Sequence, residues 1–326
     1  MTDTQVLVLP GVAAQNLPAV ITDEGPEATK HFFEFFVAGI RNTHTRAAYA
    51  RNVLRFMAWC ENNDIALRAL QPFHVAAYIE SLDYAVATIK QHHSALKMLF
   101  DWLVVRQVMP FNPASSVKTP RMATTHEGKT PILQANEVAT LLESIDTSEL
   151  IGLRDRALIA TMAYTFARIS AVVGMNIGDF RQVGRRFQVR LTEKNGKHRL
   201  IPVHHMLEEY LHEYIEAAGF DTALERKEPL FRSVDRGKKG KPLSERRLHR
   251  VNALAMVKRR ALKAGFDPHS VMNHTFRGSG ITNFLENGGS LEDAQYIAGH
   301  ASSRTTKLYD RRQKNITVSE IERIRF

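Results

Sequence analysis

The sequence has little cysteine and no long apolar run, and both absences narrow the classes of protein that it can belong to. Cys60 is the only cysteine among 326 residues, so no intramolecular disulfide and no cysteine-rich metal site can form. No stretch reaches the roughly 18 uninterrupted apolar residues that a membrane span requires. The short apolar run after Met1 lacks the basic segment that opens a secretory signal. These absences predict a soluble, cytoplasmic protein with no membrane partner.

Basic residues outnumber acidic ones, and the positive excess is concentrated in one segment. The formal net charge is +10, and residues 232–260 alone hold eleven Lys or Arg against two acidic residues, a net +9. Like charges at this density repel one another unless a polyanion lies nearby, although a solvated face is the alternative. The segment therefore predicts contacts with a phosphate backbone, which provide affinity rather than sequence specificity. The candidate contact residues here are Lys238, Lys239, Lys241, Arg246 and Arg247.

Hydrophobic periodicity and proline content divide the chain into four parts. Residues 1–28 hold three prolines and no sustained period, and they predict a flexible N-terminal arm. Residues 29–110 carry apolar residues at spacings of three and four in four successive patterns, which predicts a small four-helix bundle. Residues 111–131 are rich in proline and small polar residues, as in an extended linker. Residues 132–326 predict a larger second domain.

One segment of this second domain follows the period of a strand. The sequence FQVRLTEKNGKHRLIPV at 187–203 alternates apolar and polar residues around Asn195-Gly196, a pair typical of a type I′ hairpin turn. The rest of the domain shows helical patterns. The chain as a whole therefore predicts a mainly α fold with a small antiparallel β-sheet.

Six residues of the second domain carry groups suited to chemistry on phosphate. Each has an ordinary alternative, because a His-x-x-Arg is usually a surface pair, a tyrosine in a helix is usually a core residue, and a hairpin lysine is usually solvated. In combination they form an arginine after an apolar run, a hairpin lysine, a His-x-x-Arg, a Gly-His and a tyrosine nine residues later. The six are Arg168, Lys194, His274, Arg277, His300 and Tyr309.

This order resembles that of the tyrosine recombinase (phage integrase) family. The matching segments are FARISAVVGM, TEKNGKHRLIPV, NHTFRGSGITNFLENGG and IAGHASSRTTKLYDRR. The resemblance covers about residues 30–326 and implies a SAM-like core-binding domain followed by the recombinase catalytic domain. It implies an enzyme that cleaves and rejoins DNA through a 3′-phosphotyrosyl intermediate and exchanges strands between two sites. Integration or excision of a mobile element, cointegrate resolution and chromosome-dimer resolution are all compatible with it.

The resemblance also implies a role for each catalytic candidate. Arg168 and Arg277 clamp the non-bridging phosphate oxygens, and His300 donates a hydrogen bond to the phosphate. Tyr309 is the nucleophile, and His274 accepts its proton or stabilises the phosphate. The covalent link conserves the energy of the phosphodiester, so the family chemistry requires neither a metal nor a cofactor.

Two positions depart from the family pattern. A carboxylate often lies three residues after the first arginine, but this position is Ala171, with Asp179 as a speculative substitute. The usual Gly-Lys-Gly of the hairpin is replaced by Glu-Lys-Asn at 193–195. Lys194 matches the family lysine that protonates the leaving 5′-oxygen, and Lys197 is its rival.

The resemblance implies partners too. These are double-stranded DNA recombination sites, further copies of the chain that form a homotetramer on DNA from a monomer in solution, and possible accessory DNA-binding proteins. Two helices of the N-terminal domain are expected to face the DNA major groove, although plain exposed polar faces are the alternative. The candidate residues on them are Thr43, Arg46, Arg51, Lys90 and Lys97.

Two other functions share the fold or the chemistry. A catalytically inactive DNA-binding protein is disfavoured because all six candidate residues are present. A relaxing enzyme similar to type IB topoisomerases is disfavoured by the compact helical N-terminal domain and by the motif spacing. The tail KNITVSEIERIRF, at 314–326, has apolar residues at helical spacing and either packs on its own domain or docks on a neighbouring subunit.

Overall fold

The structure is a computed structural model that describes residues 17–121, 131–193, 196–235 and 243–311. The chain divides into two compact units, residues 1–124 and residues 125–326. Helices dominate both units, and the strands of the second unit form small antiparallel sheets. The predicted fold class, mainly α with a small antiparallel sheet, is therefore confirmed. No helix within the described ranges is long and apolar enough to cross a membrane.

The first unit is a helical bundle around an aromatic core. Its helices are α1 (Ala19–Thr22), α2 (Pro26–Glu34), α3 (Thr43–Glu61), α4 (Pro72–Glu80) and α5 (Val86–Val105), with a π-helical turn at Phe35–Gly39. The Asn42 side chain fixes the start of α3, because its oxygen accepts the His44 and Thr45 amides at 3.1 Å. Fully buried phenylalanines from α2, the π-helical turn, α3 and α5 fill the interior: Phe32, Phe35, Phe36, Phe56 and Phe100.

The prediction of a flexible arm at residues 1–28 is wrong for residues 19–28. Residues 19–22 and 26–34 are helical, and Val20, Ile21 and Ala28 are buried in the core of the first unit. Two of the three prolines that suggested an irregular segment instead start helices. Pro18 is the N-cap of α1, and Pro26 opens α2, where the missing N–H costs no hydrogen bond. Residues 1–16 lie outside the described residues.

The beginning of the predicted linker at 111–131 also packs onto the first unit. The Asn112 amide donates to the Lys97 carbonyl at 2.9 Å and to the Asp101 carboxylate at 2.7 Å. Ala114 is fully buried, and its carbonyl is bonded to the His93 ring at 2.9 Å. These contacts hold residues 112–114 against α5. The predicted linker is therefore not extended over its whole length, despite its composition.

The second unit is built around α7, whose residues are buried on nearly every side. This helix packs against α9 and α11, and Gly280 of α11 lies so close that an added Cβ would come within 2.0 Å of the Ala163 carbonyl. The helices of this unit are α6 (Ala135–Glu143), α7 (Leu150–Thr165), α8 (Ile169–Val173), α9 (His205–Ala217), α10 (Arg250–Lys263), α11 (Asn273–Glu286), α12 (Leu291–Ala298) and α13 (Ser303–Lys307).

Two antiparallel sheets accompany these helices. The strands β1 (Phe180–Val183), β2 (Arg186–Thr192) and β3 (His198–Pro202) form one sheet in that order, and β4 (Arg232–Val234) and β5 (Leu243–Arg247) form a second.

The predicted hairpin is the β2–β3 pair, but its turn is longer than two residues. The ladder ends at Thr192 opposite His198, and the Glu193 amide then donates to the Lys197 carbonyl at 2.8 Å. Residues 194–196 therefore separate Glu193 from Lys197, which form the last hydrogen-bonded pair of the hairpin. Gly196 has φ +75°, the left-handed conformation that a glycine provides at the end of a three-residue hairpin loop.

Candidate active site

Five of the six catalytic candidates lie together in the second unit. They come from four places: the residue before α8, the first turns of α11, the residue two after α12, and the residue two after α13. The five are Arg168, His274, Arg277, His300 and Tyr309. Lys194, the sixth, lies outside the described residues.

Tyr309 is held on both its backbone and its ring. Its carbonyl accepts the Thr282 hydroxyl at 3.0 Å, and its amide donates to the Thr306 carbonyl at 2.9 Å. The residue is only 7% exposed, and an added Cβ on Gly278 would lie 3.3 Å from the ring. A glycine at 278 therefore leaves room for the phenol, whose hydroxyl is fixed in one place.

The Tyr309 hydroxyl is hydrogen-bonded to Nε2 of His274 at 2.9 Å. The partial burial of the His274 ring, and then the charges of Arg277 and Arg168, lower the pKa of this imidazole below its ordinary value of 6.5. The ring is consequently neutral at pH 7, and a neutral imidazole nitrogen can accept a proton. The pair has the geometry of a nucleophile and its general base.

His300 lies against the other side of Tyr309. Its ring is nearly parallel to that of Tyr309, with centroids 6.0 Å apart and an angle of 12°. Its Nδ1 is hydrogen-bonded to the Thr306 hydroxyl at 2.9 Å, which leaves Nε2 for a substrate. Burial and the charges of Arg277 and Arg168 lower the pKa of His300 to about 4, so this ring is also neutral.

Arg277 is fully buried, and the backbone of its own unit fixes it. One terminal nitrogen donates to the Phe166 carbonyl, and the other donates to the Ala298 carbonyl at 2.8 Å. Phe166 has φ +52°, a left-handed conformation that costs about 1–2 kcal/mol for a residue with a Cβ. Burial, together with the charge of Arg168, lowers the pKa of Arg277 to about 10. The strained backbone of Phe166 thus supplies the carbonyl that fixes the charged side chain of Arg277.

Arg168 is held by a carboxylate that the sequence patterns did not single out as a site residue. Its Nη1 donates to Glu193 at 2.6 Å, and Arg199 donates to the other oxygen of the same carboxylate at 2.5 Å. Burial would raise the pKa of Glu193, but the hydrogen bonds and charges of Arg199 and Arg168 hold it below its ordinary value. The sequence did hold a signal for Arg199, because the period of two along β3 places it on the same face as Ile201. That face is buried in the structure, and a buried charge is usually paired with an opposite one.

Asp179 does not substitute for the carboxylate missing at residue 171. Its side chain instead accepts Nε of Arg190 at 2.6 Å and the Asn176 amide at 2.8 Å, and so closes the turn before β1. The suggestion that Asp179 orients the active-site arginines is wrong, because both of its oxygens are engaged elsewhere.

Two candidate DNA-binding arginines also bond the backbone of their own unit. Arg46 donates from Nε and Nη2 to the Ile40 carbonyl at 3.0 and 2.8 Å, where the chain leaves the π-helical turn. Arg247, which is exposed, donates to the Val173 and Met175 carbonyls at 2.7 and 2.8 Å. A guanidinium carries five N–H donors, and these bonds use only some of them, so contact of both arginines with DNA stays a prediction.

The remaining DNA-binding candidates fall into two groups. Thr43, Arg51, Lys97 and Arg246 are exposed and Lys90 is partly exposed, so their side chains can reach a ligand. Three others lie outside the described residues: Lys238, Lys239 and Lys241. In the described ranges no group of three or more His, Cys, Asp or Glu has the arrangement of a metal site.

The chain matches two family descriptions along its length. Residues 131–315 match the phage integrase family, and residues 33–109 match the N-terminal SAM-like domain of phage integrases. Tyrosine recombinase XerD of Corynebacterium glutamicum is 30% identical over 281 residues, which cover 82% of this chain and 87% of that protein. Tyrosine recombinase XerC of Myxococcus xanthus is 30% identical over 229 residues, which cover 70% of this chain and 73% of that protein.

Solved structures share the fold. The XerH site-specific recombinase bound to its difH substrate has a TM-score of 0.64 at 21% identity, over 86% of this chain and 78% of that one. A lambda integrase dimer bound to a COC′ core site has a TM-score of 0.64 at 15% identity, over 89% of this chain and 80% of that one. With both family descriptions and the extended similarity to curated tyrosine recombinases, the chain belongs to the phage integrase family.

Proposed function

We propose that this protein is a site-specific tyrosine recombinase that cleaves and rejoins DNA through a covalent link to Tyr309. The observation that carries the proposal is the hydrogen bond of 2.9 Å between the Tyr309 hydroxyl and Nε2 of His274, in a site where Arg277 and His300 are also fixed. Membership of the phage integrase family and the similarity to XerD and XerC support the same reaction class.

The first half of the reaction is an in-line displacement at phosphorus. The Tyr309 oxygen attacks the scissile phosphate while its proton passes to Nε2 of His274, and an O–P bond forms. Negative charge develops on the non-bridging oxygens, where Arg168 and Arg277 stabilise it and Nε2–H of His300 donates a hydrogen bond. The bond from phosphorus to the 5′-oxygen breaks, which leaves a 3′-phosphotyrosyl link and a free 5′-hydroxyl.

The leaving 5′-oxygen needs a proton, and we assign this role to Lys194, with Lys197 as the alternative. On a substrate with a 5′-thio leaving group the acid becomes dispensable, because a thiolate leaves without protonation. Lys194→Ala and Lys197→Ala are therefore compared on 5′-oxygen and 5′-thio DNA. The variant that recovers on 5′-thio DNA identifies the acid.

The second half reverses the first with a new strand. A 5′-hydroxyl from the partner DNA attacks the phosphotyrosyl phosphorus and passes its proton to Lys194, while the Tyr309 oxygen leaves and takes its proton back from His274. The covalent link conserves the phosphodiester energy, so rejoining needs neither ATP nor a metal. We propose that two DNA sites are brought together by four copies of a chain that is monomeric in solution, acting on DNA in the cytoplasm. Accessory DNA-binding proteins and a mobile element as the source of the sites fit this scheme.

The nucleophile is tested by trapping the covalent intermediate. The sites are first mapped as bound and cleaved DNA from the region around the gene, and then prepared with a nick or a 5′-phosphorothiolate that prevents rejoining. In EDTA the wild-type protein should form an SDS-stable adduct, and Tyr309→Phe should bind the DNA without forming it.

Tyr296→Phe is the matched control for this experiment. Tyr296 lies on α12 and is 67% exposed, so the loss of its hydroxyl should leave adduct formation unchanged. An adduct that persists in Tyr309→Phe would overturn the assignment of the nucleophile. Binding without an adduct in the wild-type protein would instead indicate an inactive DNA-binding protein, which the intact catalytic set disfavours.

A further inference from the structure

The carboxylate of Glu193 lies between two arginines that come from different parts of the second unit. Its Oε2 accepts Nη1 of Arg168, which precedes α8, at 2.6 Å. Its Oε1 accepts Nη2 of Arg199, which lies on β3, at 2.5 Å. Both are charge-assisted hydrogen bonds, roughly twice as strong as neutral ones.

The two ends of this bridge differ in exposure. The side chains of Glu193 and Arg199 are 8% and 5% exposed, whereas that of Arg168 is 42% exposed. Arg168 thus reaches out of the protein from a buried anchor. Within the described ranges, its Nε and Nη2 make no hydrogen bond to the protein, so these donors remain for a substrate oxygen.

Among the described residues, Glu193 is also the only hydrogen-bond partner of the Arg168 guanidinium. Arg277, in contrast, is fixed by the carbonyls of Phe166 and Ala298. The next turn of α8 offers Arg168 no carboxylate, because residue 171 is a buried alanine. The position of Arg168 therefore depends on one side chain, and a charged group that misses its target by about 1 Å can cost about 100-fold in rate.

The other end of the bridge leads to the loop that carries His300. An added Cβ on Gly299 would lie only 2.7 Å from Nε of Arg199, so this guanidinium is in close contact with the backbone beside His300. Nη1 of Arg199 also donates to the Tyr296 carbonyl at 3.5 Å. The carboxylate thus links the placement of Arg168 to the end of α12.

We propose that Glu193 is a positioning residue for the recombination site, which holds the exposed guanidinium of Arg168 where the scissile phosphate binds. The inference rests on the proposed function, since it concerns the cleavage that Tyr309 performs. Glu193 acts through Arg168 and does not touch the DNA. A buried counterion would only stabilise the fold, whereas Glu193 places the one guanidinium that neutralises the scissile phosphate.

The test is the single-turnover cleavage rate of Glu193→Gln on the trapping substrate. The variant keeps the size of the side chain and removes its charge. We expect the rate to fall about 10–100-fold, while the Kd for DNA changes by less than about threefold. Glu193→Asp, which keeps the charge on a shorter side chain, should recover part of the rate.

A second substrate separates positioning from general stability. A methylphosphonate at the scissile position lacks the negative charge that Arg168 neutralises, so cleavage there depends less on this arginine. If Glu193 acts through Arg168, the loss in Glu193→Gln should shrink towards onefold on this DNA. In an Arg168→Ala background, Glu193→Gln should cause no further loss, because interacting residues are not additive.

The matched control is Glu213→Gln on α9, which removes a carboxylate paired with Arg156 at a more exposed site. It should cleave at the wild-type rate. If the wild-type protein forms no Tyr309-dependent adduct, the proposed function fails. If it does form the adduct and Glu193→Gln cleaves normally, or loses the same factor on both substrates and in both backgrounds, the positioning role is wrong.

Discussion

Gly299→Ala is a sharp test of how the site is packed. Gly299 follows α12 with φ +62° and ψ 39°, and its backbone lies against the guanidinium of Arg199. The new Cβ would lie 2.7 Å from Nε and 3.1 Å from Cδ and Cζ of Arg199. Arg199 cannot move away freely, because it is buried and bonded to Glu193.

The expected loss of stability has two parts. The left-handed conformation costs a residue with a Cβ about 1–2 kcal/mol. Displacing the packed Arg199 side chain costs about 1–3 kcal/mol more, as in other overpacked interiors. Gly288→Ala is the matched control, since Gly288 has φ +85° and no atom within 4 Å of an added Cβ. The control therefore carries the first cost alone, and the difference between the two variants measures the contact with Arg199.

The assay is the free energy of unfolding by denaturant, followed by helical circular dichroism, together with single-turnover cleavage. We expect Gly299→Ala to be less stable than Gly288→Ala by about 1–3 kcal/mol. It should also cleave about 10–100-fold more slowly, because Arg199 and the loop of His300 are both displaced. Equal stability of the two variants would refute the close approach of Arg199. Unequal stability with equal cleavage would refute the link between Arg199 and catalysis.

Three further predictions concern the histidines. Thr306→Val should slow cleavage about tenfold by removing the hydroxyl that orients His300, whereas Thr306→Ser should retain the rate. Because the pKa of His274 in the free protein lies below 6.5, kcat/KM for cleavage, which reports the free enzyme, should fall with decreasing pH around a midpoint below 6.5; a midpoint above 6.5 would contradict its role as proton acceptor. Because the pKa of His300 is about 4, the stability that its neutral form contributes is complete above pH 6.5 and is lost by about 3 kcal/mol as pH falls to about 4. His300→Asn should show a shallower fall in denaturant titrations.

The sequence predicted the helical fold, the β2–β3 hairpin and the order of the catalytic candidates, because periodicity, turn residues and motif spacing are local properties. It did not reveal the partners of Glu193, whose contacts with Arg168 and Arg199 join parts of the chain that are distant in sequence. Nor can a count of positive charges tell a free guanidinium from one used by the fold. Arg46 and Arg247, for example, each use part of their N–H groups on backbone carbonyls, which only the structure reveals.

The charges of the site are arranged for a ligand that carries negative charge. Arg168, Arg199 and Arg277 lie near the carboxylate of Glu193, and their charges outnumber its own. Burial, and then the charges of Arg277 and Arg168, lower the pKa of His274, which makes the free imidazole a weak base.

On the proposed function, a bound phosphodiester adds a negative charge beside the same ring and raises that pKa again. We therefore expect His274 to become a stronger proton acceptor for Tyr309 when the scissile phosphate is in place. The arginines that we propose stabilise the transition state would then also make activation of the nucleophile depend on the DNA.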